Sequence, residues 1–191
     1  MLKDKIMLIG VSGDVGSFSE EAGLIYAAKA HSAKHEIRYL IDMDGVLAAL
    51  ERGEIDVGIF PFVNYNSGIV WPAFTAMGKY NFMPIDDLQL NVEQCLLAKL
   101  GTDLSEINEL YSYTPAFEQC KGFINQHGFK LIDWGDTAKA ARDLAAGILP
   151  KNAGVVASAQ AAKSYDLQIV KRGIQDIQPN ITRFIVVKKA G

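Results

Sequence analysis

Hydroxyl and amide side chains recur where the predicted strands of this 191-residue chain end. In an open α/β sheet, ligands bind outside the carboxyl ends of the strands, where such groups meet helix N-termini. Each of them taken alone is best explained as a helix N-cap. Their recurrence nevertheless predicts a cleft that binds a small anion. The residues are Ser17, Ser19, Asn64, Ser67, Ser112, Thr114, Thr137 and Ser158.

A second candidate is the run Thr182-Arg183-Phe184 near the C-terminus. Arg183 carries a permanent charge and a planar fork of donors that suits a carboxylate. In a regular strand, Thr182 and Phe184 share one face and Arg183 lies on the other. An ordinary exposed strand start is the alternative explanation for these residues.

Glycines at positions 10, 13 and 16 follow a predicted strand and precede a predicted helix. Their spacing differs from the dinucleotide fingerprint, and the chain has no P-loop Gly-Lys-Ser/Thr sequence. Nucleotide binding is therefore not expected. Two interpretations remain, a plain strand-to-helix turn and a site for a small carboxylate or phosphate at a helix N-terminus.

The sequence gives little support for a metal site or for a catalytic nucleophile of the hydrolase type. The three histidines, His31, His35 and His127, fall at predicted helix ends or loops, and no carboxylate accompanies the first two at helical spacing. No G-x-S-x-G sequence is present. We expect neither a bound metal nor a hydrolase triad.

Composition excludes other classes. The chain has 19 Lys and Arg against 22 Asp and Glu, a net charge of −3, which argues against nucleic-acid binding. Its longest apolar runs are far shorter than the ~20 residues of a membrane span. The N-terminus lacks the pattern of a signal peptide, and two cysteines are typical of reduced intracellular thiols. A cytoplasmic location is expected.

Strand-like and helix-like segments alternate along the chain, a pattern typical of an α/β fold. The predicted strands are Lys5–Val11, Glu36–Ile41, Val57–Pro61, Leu110–Tyr113, Lys130–Trp134, Gly154–Ser158 and Thr182–Val187, with an extended segment at Leu88–Lys99. The predicted helices are Ser19–Ala33, Asp42–Arg52, Pro115–His127, Asp136–Ala146 and Ala159–Tyr165.

Several motifs appear in one order along the chain. They are Gly16-Ser17-Phe18-Ser19-Glu20-Glu21-Ala22, the segment from Val46 to Pro61, Gln119-Cys120, Thr137-Ala138-Lys139-Ala140-Ala141, the segment from Ala157 to Ala162, Ile174-Gln175-Asp176 and Asn180-Ile181-Thr182-Arg183-Phe184. In this order and over nearly the whole length, the chain resembles the catalytic domain of the prephenate dehydratase family.

The resemblance implies a single catalytic unit over residues 1–191, made of two α/β lobes. The lobes would be similar to those of periplasmic binding proteins of type II, with the substrate in a central cleft. We expect lobe one to comprise residues 1–76 and 175–191, and lobe two to run from about 86 to 170.

The activity implied is conversion of prephenate to phenylpyruvate with loss of carbon dioxide and water, on the route to phenylalanine and without a cofactor. In the family, the threonine of Thr-Arg-Phe is catalytic, and Thr182 matches it. The small-molecule substrate would be bound by Arg183, Phe184, Asn64, Ser112, Ser17 and Gln119.

Four positions depart from the family pattern. Val63 and Tyr65 replace a glutamate and a serine beside Asn64, while Tyr113 and Gln94 each replace a histidine. These changes leave two alternatives open: a divergent enzyme acting on prephenate, such as a non-aromatising decarboxylase, and a non-enzymatic protein that binds small anions.

The resemblance includes neither the family's ACT regulatory domain nor a fused chorismate mutase. We therefore expect no feedback inhibition by phenylalanine. Family members tend to associate, so a homodimer is also expected.

Overall fold

Two separate mixed sheets, each covered by helices, make up the protein and confirm the α/β class. The computed structural model describes residues 6–31 and 34–191. It divides into two units. Unit 1 comprises the described residues of Met1–Asp14, Phe18–Asn91 and Ile181–Gly191, and unit 2 comprises Val15–Ser17 and Val92–Asn180.

The strands are β1 (Met7–Val11), β2 (His35–Tyr39), β3 (Val57–Asn64), β4 (Gly68–Ile69), β5 (Phe82–Asn91), β6 (Cys95–Ala98), β7 (Glu109–Ser112), β8 (Lys130–Asp133), β9 (Gly154–Ala157), β10 (Gln168–Lys171) and β11 (Ile181–Lys189). The helices are α1 (Phe18–Lys29), α2 (Met43–Arg52), α3 (Trp71–Met77), α4 (Thr114–Glu118), α5 (Lys121–His127), α6 (Thr137–Ala145) and α7 (Ala159–Ser164), and Leu104–Glu106 forms a 3-10 turn.

The sheet of unit 1 has the order β2-β1-β3-β11-β5, and β4 pairs with β3 outside this path. Parallel pairing joins β1 to β2 and to β3. The C-terminal strand β11 lies between β3 and β5 and is antiparallel to both. A C-terminal strand thus occupies an interior position, where its side chains are held from both sides.

The sheet of unit 2 has the order β10-β6-β9-β7-β8. Parallel pairs join β7 to β8 and to β9, whereas β6 is antiparallel to β9 and to β10. The two faces of this sheet are apolar, as expected for strands covered on both sides by helices. Leu97 and Val155 pack with α6 and α7, while Leu96 and Leu110 pack with α4 and α5.

The core of unit 1 is also double-sided. Phe184 and Ile9 lie on the face covered by α1, whereas Phe60 and Ile185 lie on the face covered by α2 and α3. Adjacent β11 residues 184 and 185 point to opposite faces because side chains alternate along a strand. This alternation sets the direction of the residues just before them.

The boundaries between the units differ from those expected for the lobes. All of β5 pairs with β11, from Ile181 opposite Asn91 to Lys189 opposite Phe82, so unit 1 extends to residue 91 rather than ending near 76. Residues 175–180 belong to unit 2 rather than to unit 1, since the Ile174 N–H donates to the Gln94 carbonyl and the Val92 N–H to that of Asn180.

Most predicted elements are present with shifted ends. The predicted starts and ends at Lys5 and Ala33 lie outside the described residues, and within them α1 ends at Lys29. Neither α3 nor β10 was predicted. Capping explains three helix starts, because Asp42, Asp136 and Ser158 accept hydrogen bonds from backbone N–H groups of α2, α6 and α7.

Two predicted elements are divided. The extended segment Leu88–Lys99 is two strands in different sheets, β5 and β6. The helix predicted over Pro115–His127 is interrupted between α4 and α5, where the Gln119 carbonyl accepts the N–H of Asp176. Among residues 6–31 and 34–191, no helix has the length and apolar character needed to cross a membrane.

Candidate functional site

Thr182 lies near the start of β11, directly opposite Asn64 on β3 and Leu90 on β5. The Asn64 Nδ2 donates a hydrogen bond of 2.9 Å to the Thr182 Oγ1. The two residues are 4% and 7% exposed, so the bond is largely shielded from water. The structure therefore brings together two of the predicted site residues.

The turn after β3 fixes the orientation of the Asn64 side chain. Its Oδ1 accepts hydrogen bonds from the Asn66 N–H at 2.9 Å, the Ser67 N–H at 2.8 Å and the Ser67 hydroxyl at 3.0 Å. Since all three are donors, the amide nitrogen must face Thr182. Thr182 Oγ1 then acts as acceptor toward Asn64, and its own proton is available for donation to another group.

Arg183 lies between the buried residues Thr182 and Phe184 on β11, and its side chain projects from the opposite face of the sheet. Its guanidinium pairs with Asp87, with Nη2 2.7 Å and Nε 3.2 Å from Oδ2, and lies 5.6 Å from the centre of the Phe62 ring. The hydrogen bond and charge of Asp87 raise the pKa of Arg183. The expected binding charge is thus already paired within unit 1, on the face opposite Thr182.

A bulge lies beside this pair. In the pairing of β11 with β3, Arg183 faces Val63 and Phe184 faces Pro61, so Phe62 is the additional residue of β3. The pairing of β11 with β5 is regular here. The predicted alternation of Thr182, Arg183 and Phe184 is consequently retained.

Phe184 is one of the most deeply buried side chains of unit 1. It is 1% exposed and belongs to the apolar core beneath α1. The ring therefore anchors β11 and fixes the direction of Thr182. The structure thus shows a supporting position for Phe184, and its expected contact with substrate stays a prediction.

Gln119 belongs to a group of four side-chain amides in unit 2, which we call the amide cluster: Gln94, Gln119, Gln175 and Asn180. Gln119 Oε1 accepts from the Gln94 Nε2 at 3.1 Å and from the Asn180 Nδ2 at 2.9 Å. Gln175 Oε1 accepts from the backbone N–H of Gln94 at 3.0 Å. Gln119 is partly exposed, whereas the other three residues are buried.

The Ile174-Gln175-Asp176 motif holds the amide cluster in place. Besides the Gln175 contact, the Asp176 N–H donates to the Gln119 carbonyl at 2.7 Å, and Asp176 Oδ1 accepts from the Gly122 N–H at 2.9 Å in the first turn of α5. The resemblance included this motif, but it assigned no function to Gln175, Asp176 or Asn180. The intact motif was the sequence feature that could have marked these three residues as part of the site.

Ser112 and Ser17 are both buried in unit 2. Ser112 is fully buried, and its hydroxyl donates to the Val156 carbonyl at 2.6 Å. The Ser112 proton is thus directed to the neighbouring strand β9, and the expected contact of Ser112 with a ligand stays a prediction. Ser17 lies in the segment Val15–Ser17, where Gly16 accepts from the Ser158 hydroxyl and Val15 from that of Tyr165.

The four departures from the family pattern occupy different environments. Tyr65 and Tyr113 are 56% and 42% exposed, and Val63 is partly buried on β3. Gln94 is the buried member of the amide cluster nearest to β6. Among the described residues, no group of three or more His, Cys, Asp or Glu side chains could hold a metal ion.

The architecture defines a class first: two mixed α/β units, connected as in periplasmic substrate-binding proteins. One such protein from Coxiella burnetii superimposes with a TM-score of 0.54 at 13% identity, covering 97% of this chain and 84% of its own. The prephenate dehydratase from Arthrobacter aurescens, solved in complex with L-Phe, superimposes with a TM-score of 0.81 at 22% identity, over 97% and 61% of the two chains. These likenesses establish the fold.

The family model for prephenate dehydratase matches residues 9–191, and the chain belongs to this family, which confirms the resemblance. Among its relatives, arogenate dehydratase/prephenate dehydratase 2 of Arabidopsis thaliana is 30% identical over 181 residues, or 95% of this chain and 46% of that protein. The chain spans about half the length of the curated relatives that it matches.

Proposed function

We propose that this chain is a lyase that converts prephenate to phenylpyruvate, carbon dioxide and water in phenylalanine biosynthesis. The observation that carries the proposal is the buried hydrogen bond from Asn64 to Thr182, at the strand position where the family motif has its threonine. It leaves the Thr182 proton directed away from Asn64. The geometry thus supplies a neutral, oriented hydrogen-bond donor.

The reaction needs such a donor at one atom. The ring hydroxyl of prephenate leaves with the electron pair of its carbon–oxygen bond, while the ring carboxylate departs as carbon dioxide and its bonding pair completes the aromatic ring. Thr182 hydrogen bonds to the departing oxygen, which leaves as hydroxide and takes a proton from solvent. Aromatisation supplies most of the driving force, so a weakly acidic hydroxyl suffices.

Asn64 strengthens this donor in two ways. Its amide fixes the rotamer of Thr182, and donation to Oγ1 polarises the hydroxyl in surroundings of low dielectric constant. The rigid turn at Asn66 and Ser67 keeps the amide in position. Preorganised donors of this kind act at the moment that charge develops on the leaving oxygen.

We propose further that Gln119 binds a substrate carboxyl group, whereas Arg183, on the face opposite Thr182, keeps its ion pair with Asp87. Gln119 uses its Nε2, because its Oε1 already accepts two hydrogen bonds. No cofactor enters these steps.

The test is incubation of purified protein with prephenate while the ultraviolet absorbance of phenylpyruvate is followed. Thr182→Ala is expected to lower turnover by at least ~10²-fold, the lower range for removal of one preorganised hydrogen-bond donor. Thr182→Ser keeps the hydroxyl and serves as the matched control, with circular dichroism confirming the fold of both. Wild-type turnover by Thr182→Ala would remove Thr182 from the mechanism.

The same assay separates the two alternatives. Loss of prephenate to a non-aromatic product would indicate a divergent decarboxylase. Thermal stabilisation by prephenate without any product would indicate a protein that only binds it.

We also propose a cytoplasmic location and a homodimer. The free, buried thiols of Cys95 and Cys120 support a reducing compartment. The exposed apolar side chains of Ile69, Trp71 and Phe74 support association through β4 and α3. Cell fractionation and the mass in solution of wild type and Trp71→Lys test these points; a monomeric wild type would contradict the second.

A further inference from the structure

The side chain of Gln119 can meet a ligand in two opposite ways. Its amide presents a donor if Nε2 faces outward and an acceptor if Oε1 does, and a half turn of the terminal torsion interconverts the two. Gln119 is partly exposed, and its Nε2 has no hydrogen-bond partner among the described residues. A substrate carboxylate can only accept, so the residues that orient this amide decide whether Gln119 attracts or repels it.

Asn180 orients the amide from a backbone group. It is 1% exposed, and its Nδ2 donates to the Val92 carbonyl at 3.2 Å and to the Gln119 Oε1 at 2.9 Å. Because a carbonyl oxygen only accepts, the nitrogen of Asn180 must lie on this side, and its second hydrogen then requires the oxygen of Gln119. The Val92 N–H also donates to the backbone carbonyl of Asn180 at 2.8 Å, which holds Asn180 in place.

Gln94 reinforces the same orientation. Its Nε2 donates to the Gln119 Oε1 at 3.1 Å, while its own Oε1 is buried without a hydrogen-bond partner among the described residues. A buried acceptor that lacks a partner does not stabilise a fold. The Gln94 side chain therefore contributes to the direction of the Gln119 amide more than to stability.

The opposite orientation of Gln119 is disfavoured twice over. It would place the Gln119 nitrogen against the donor nitrogens of both Asn180 and Gln94, and two hydrogen bonds would be lost. Two ordinary hydrogen bonds correspond to a population ratio of about 10- to 100-fold. The cluster therefore keeps Gln119 Nε2 as the end of the amide that a ligand meets.

We propose that Asn180 is a positioning residue for substrate binding, which acts with Gln94 on the Gln119 Oε1 and so presents the Gln119 Nε2 to the substrate carboxylate. This inference rests on the proposed function, in which Gln119 binds that carboxyl group. Asn180 acts through Gln119, because the Val92 carbonyl and the Gln119 Oε1 already take the two hydrogens of its amide.

Asn180→Asp tests the proposal with little change in shape. A carboxylate at this position only accepts, so Gln119 should turn its Nε2 inward and its Oε1 toward the ligand. The dissociation constant of prephenate, measured by calorimetry on Thr182→Ala protein to avoid turnover, should rise about 10- to 100-fold. Asn125→Asp adds the same charge on the exposed surface of α5, where solvent screens it, and should change affinity by less than about 2-fold.

A double-mutant cycle separates positioning from a purely structural role. In a Gln119→Met background the oxygen that Asn180 holds is absent, so Asn180→Asp should no longer weaken the binding of prephenate. A general disturbance of unit 2 would weaken binding equally in both backgrounds. The same loss of affinity with and without Gln119 would overturn the inference.

Two variants of Gln94 keep the test decisive if Asn180→Asp does not fold. Gln94→Met removes one donor to Gln119, so we expect binding about 2- to 10-fold weaker with an unchanged midpoint of urea unfolding. Gln94→His introduces the histidine of the family pattern, and at pH 8 its neutral ring supplies an N–H that should restore the affinity. Unchanged affinity in Gln94→Met, or a loss shared by both variants, would contradict the action of this donor on Gln119.

Failure of the proposed function has a different signature, since wild-type protein would then form no phenylpyruvate from prephenate. Formation of phenylpyruvate, with a loss in Asn180→Asp that does not depend on Gln119, would sustain the function and reject the positioning of Gln119. Binding of prephenate without product, with the loss in Asn180→Asp confined to protein that has Gln119, would sustain the positioning and reject the catalytic function.

Discussion

The side-chain amide of Asn64 donates a hydrogen bond to the hydroxyl of Thr182, although 118 positions separate the two residues. They meet because β3 and β11 are antiparallel neighbours in register at these residues. Because Asn64 is the donor in this bond, the hydroxyl proton of Thr182 can be donated to another acceptor. The direction of this bond can be tested.

Asn64→Asp should lower kcat by about 10²-fold with a smaller change in KM. The carboxylate oxygen that replaces Nδ2 would accept from the Thr182 hydroxyl and occupy its proton. Partial recovery of kcat at low pH, where the introduced carboxyl is protonated and donates again, would separate this effect from general disruption. Asn66→Asp places the same charge two residues away on the exposed turn and should retain activity; an equal loss in both variants would refute the argument.

Gly16→Ala should destabilise the protein beyond the cost of its backbone conformation. Gly16 has φ of +84°, and a Cβ there would lie 2.7 Å from the Ala161 Cα, which is backbone of α7. Gly53→Ala is the matched control, since Gly53 has φ of +75° with open space around it. We expect a loss of about 1 kcal/mol for the control and at least twice that for Gly16→Ala in urea unfolding. Equal losses of unfolding free energy in the two variants would show that α7 moves away from the added Cβ without measurable destabilisation.

Asp143 should make stability sensitive to acid. Burial raises the pKa of its carboxyl, but hydrogen bonds from Lys139, Trp134 and Arg142 outweigh burial and lower it below the usual 3.8. A lowered folded-state pKa gives stability that is complete above the unfolded-state value and is lost as the pH falls through the folded-state value.

Asp143→Asn should therefore reduce the free energy of unfolding at pH 7, and the difference from wild type should shrink below about pH 4. Urea unfolding of both proteins between pH 3 and 7 measures this. A difference independent of pH would show that the contribution of Asp143 does not depend on its charge.

Cys95 and Cys120 should be inert in the folded protein. Burial, the main cause, raises their thiol pKa values to about 11 and about 12, so at pH 8 the thiolate fraction is on the order of 10⁻³ or less. Reaction with a chromogenic disulfide should proceed at least about 10²-fold faster in denaturant, with both thiols counted. Rapid reaction at pH 8 without denaturant would contradict the burial of these side chains.

Much of the fold was predictable because helices and strands have local signals. Periodicity and capping residues located α2, α6 and α7 to within a residue or two, and Asp42, Asp136 and Ser158 cap them. The interruption between α4 and α5 was not predictable, since its cause is the N–H of Asp176, more than fifty positions away. Likewise, β5 and β6 separate because they enter different sheets.

The sequence by itself determined the α/β class, the family and the residues of the motifs, since these depend on residue types and their order. Only the tertiary structure decided what each motif residue contacts. In the folded chain Asn64 donates a hydrogen bond to Thr182, and Arg183 forms an ion pair with Asp87. Ser112 donates to the Val156 carbonyl, and the Gln94 Oε1 has no hydrogen-bond partner among the described residues. The physical reason is that strand pairing and register bring distant residues together, and a shift of one position in the pairing of a strand would turn its side chains to the other face.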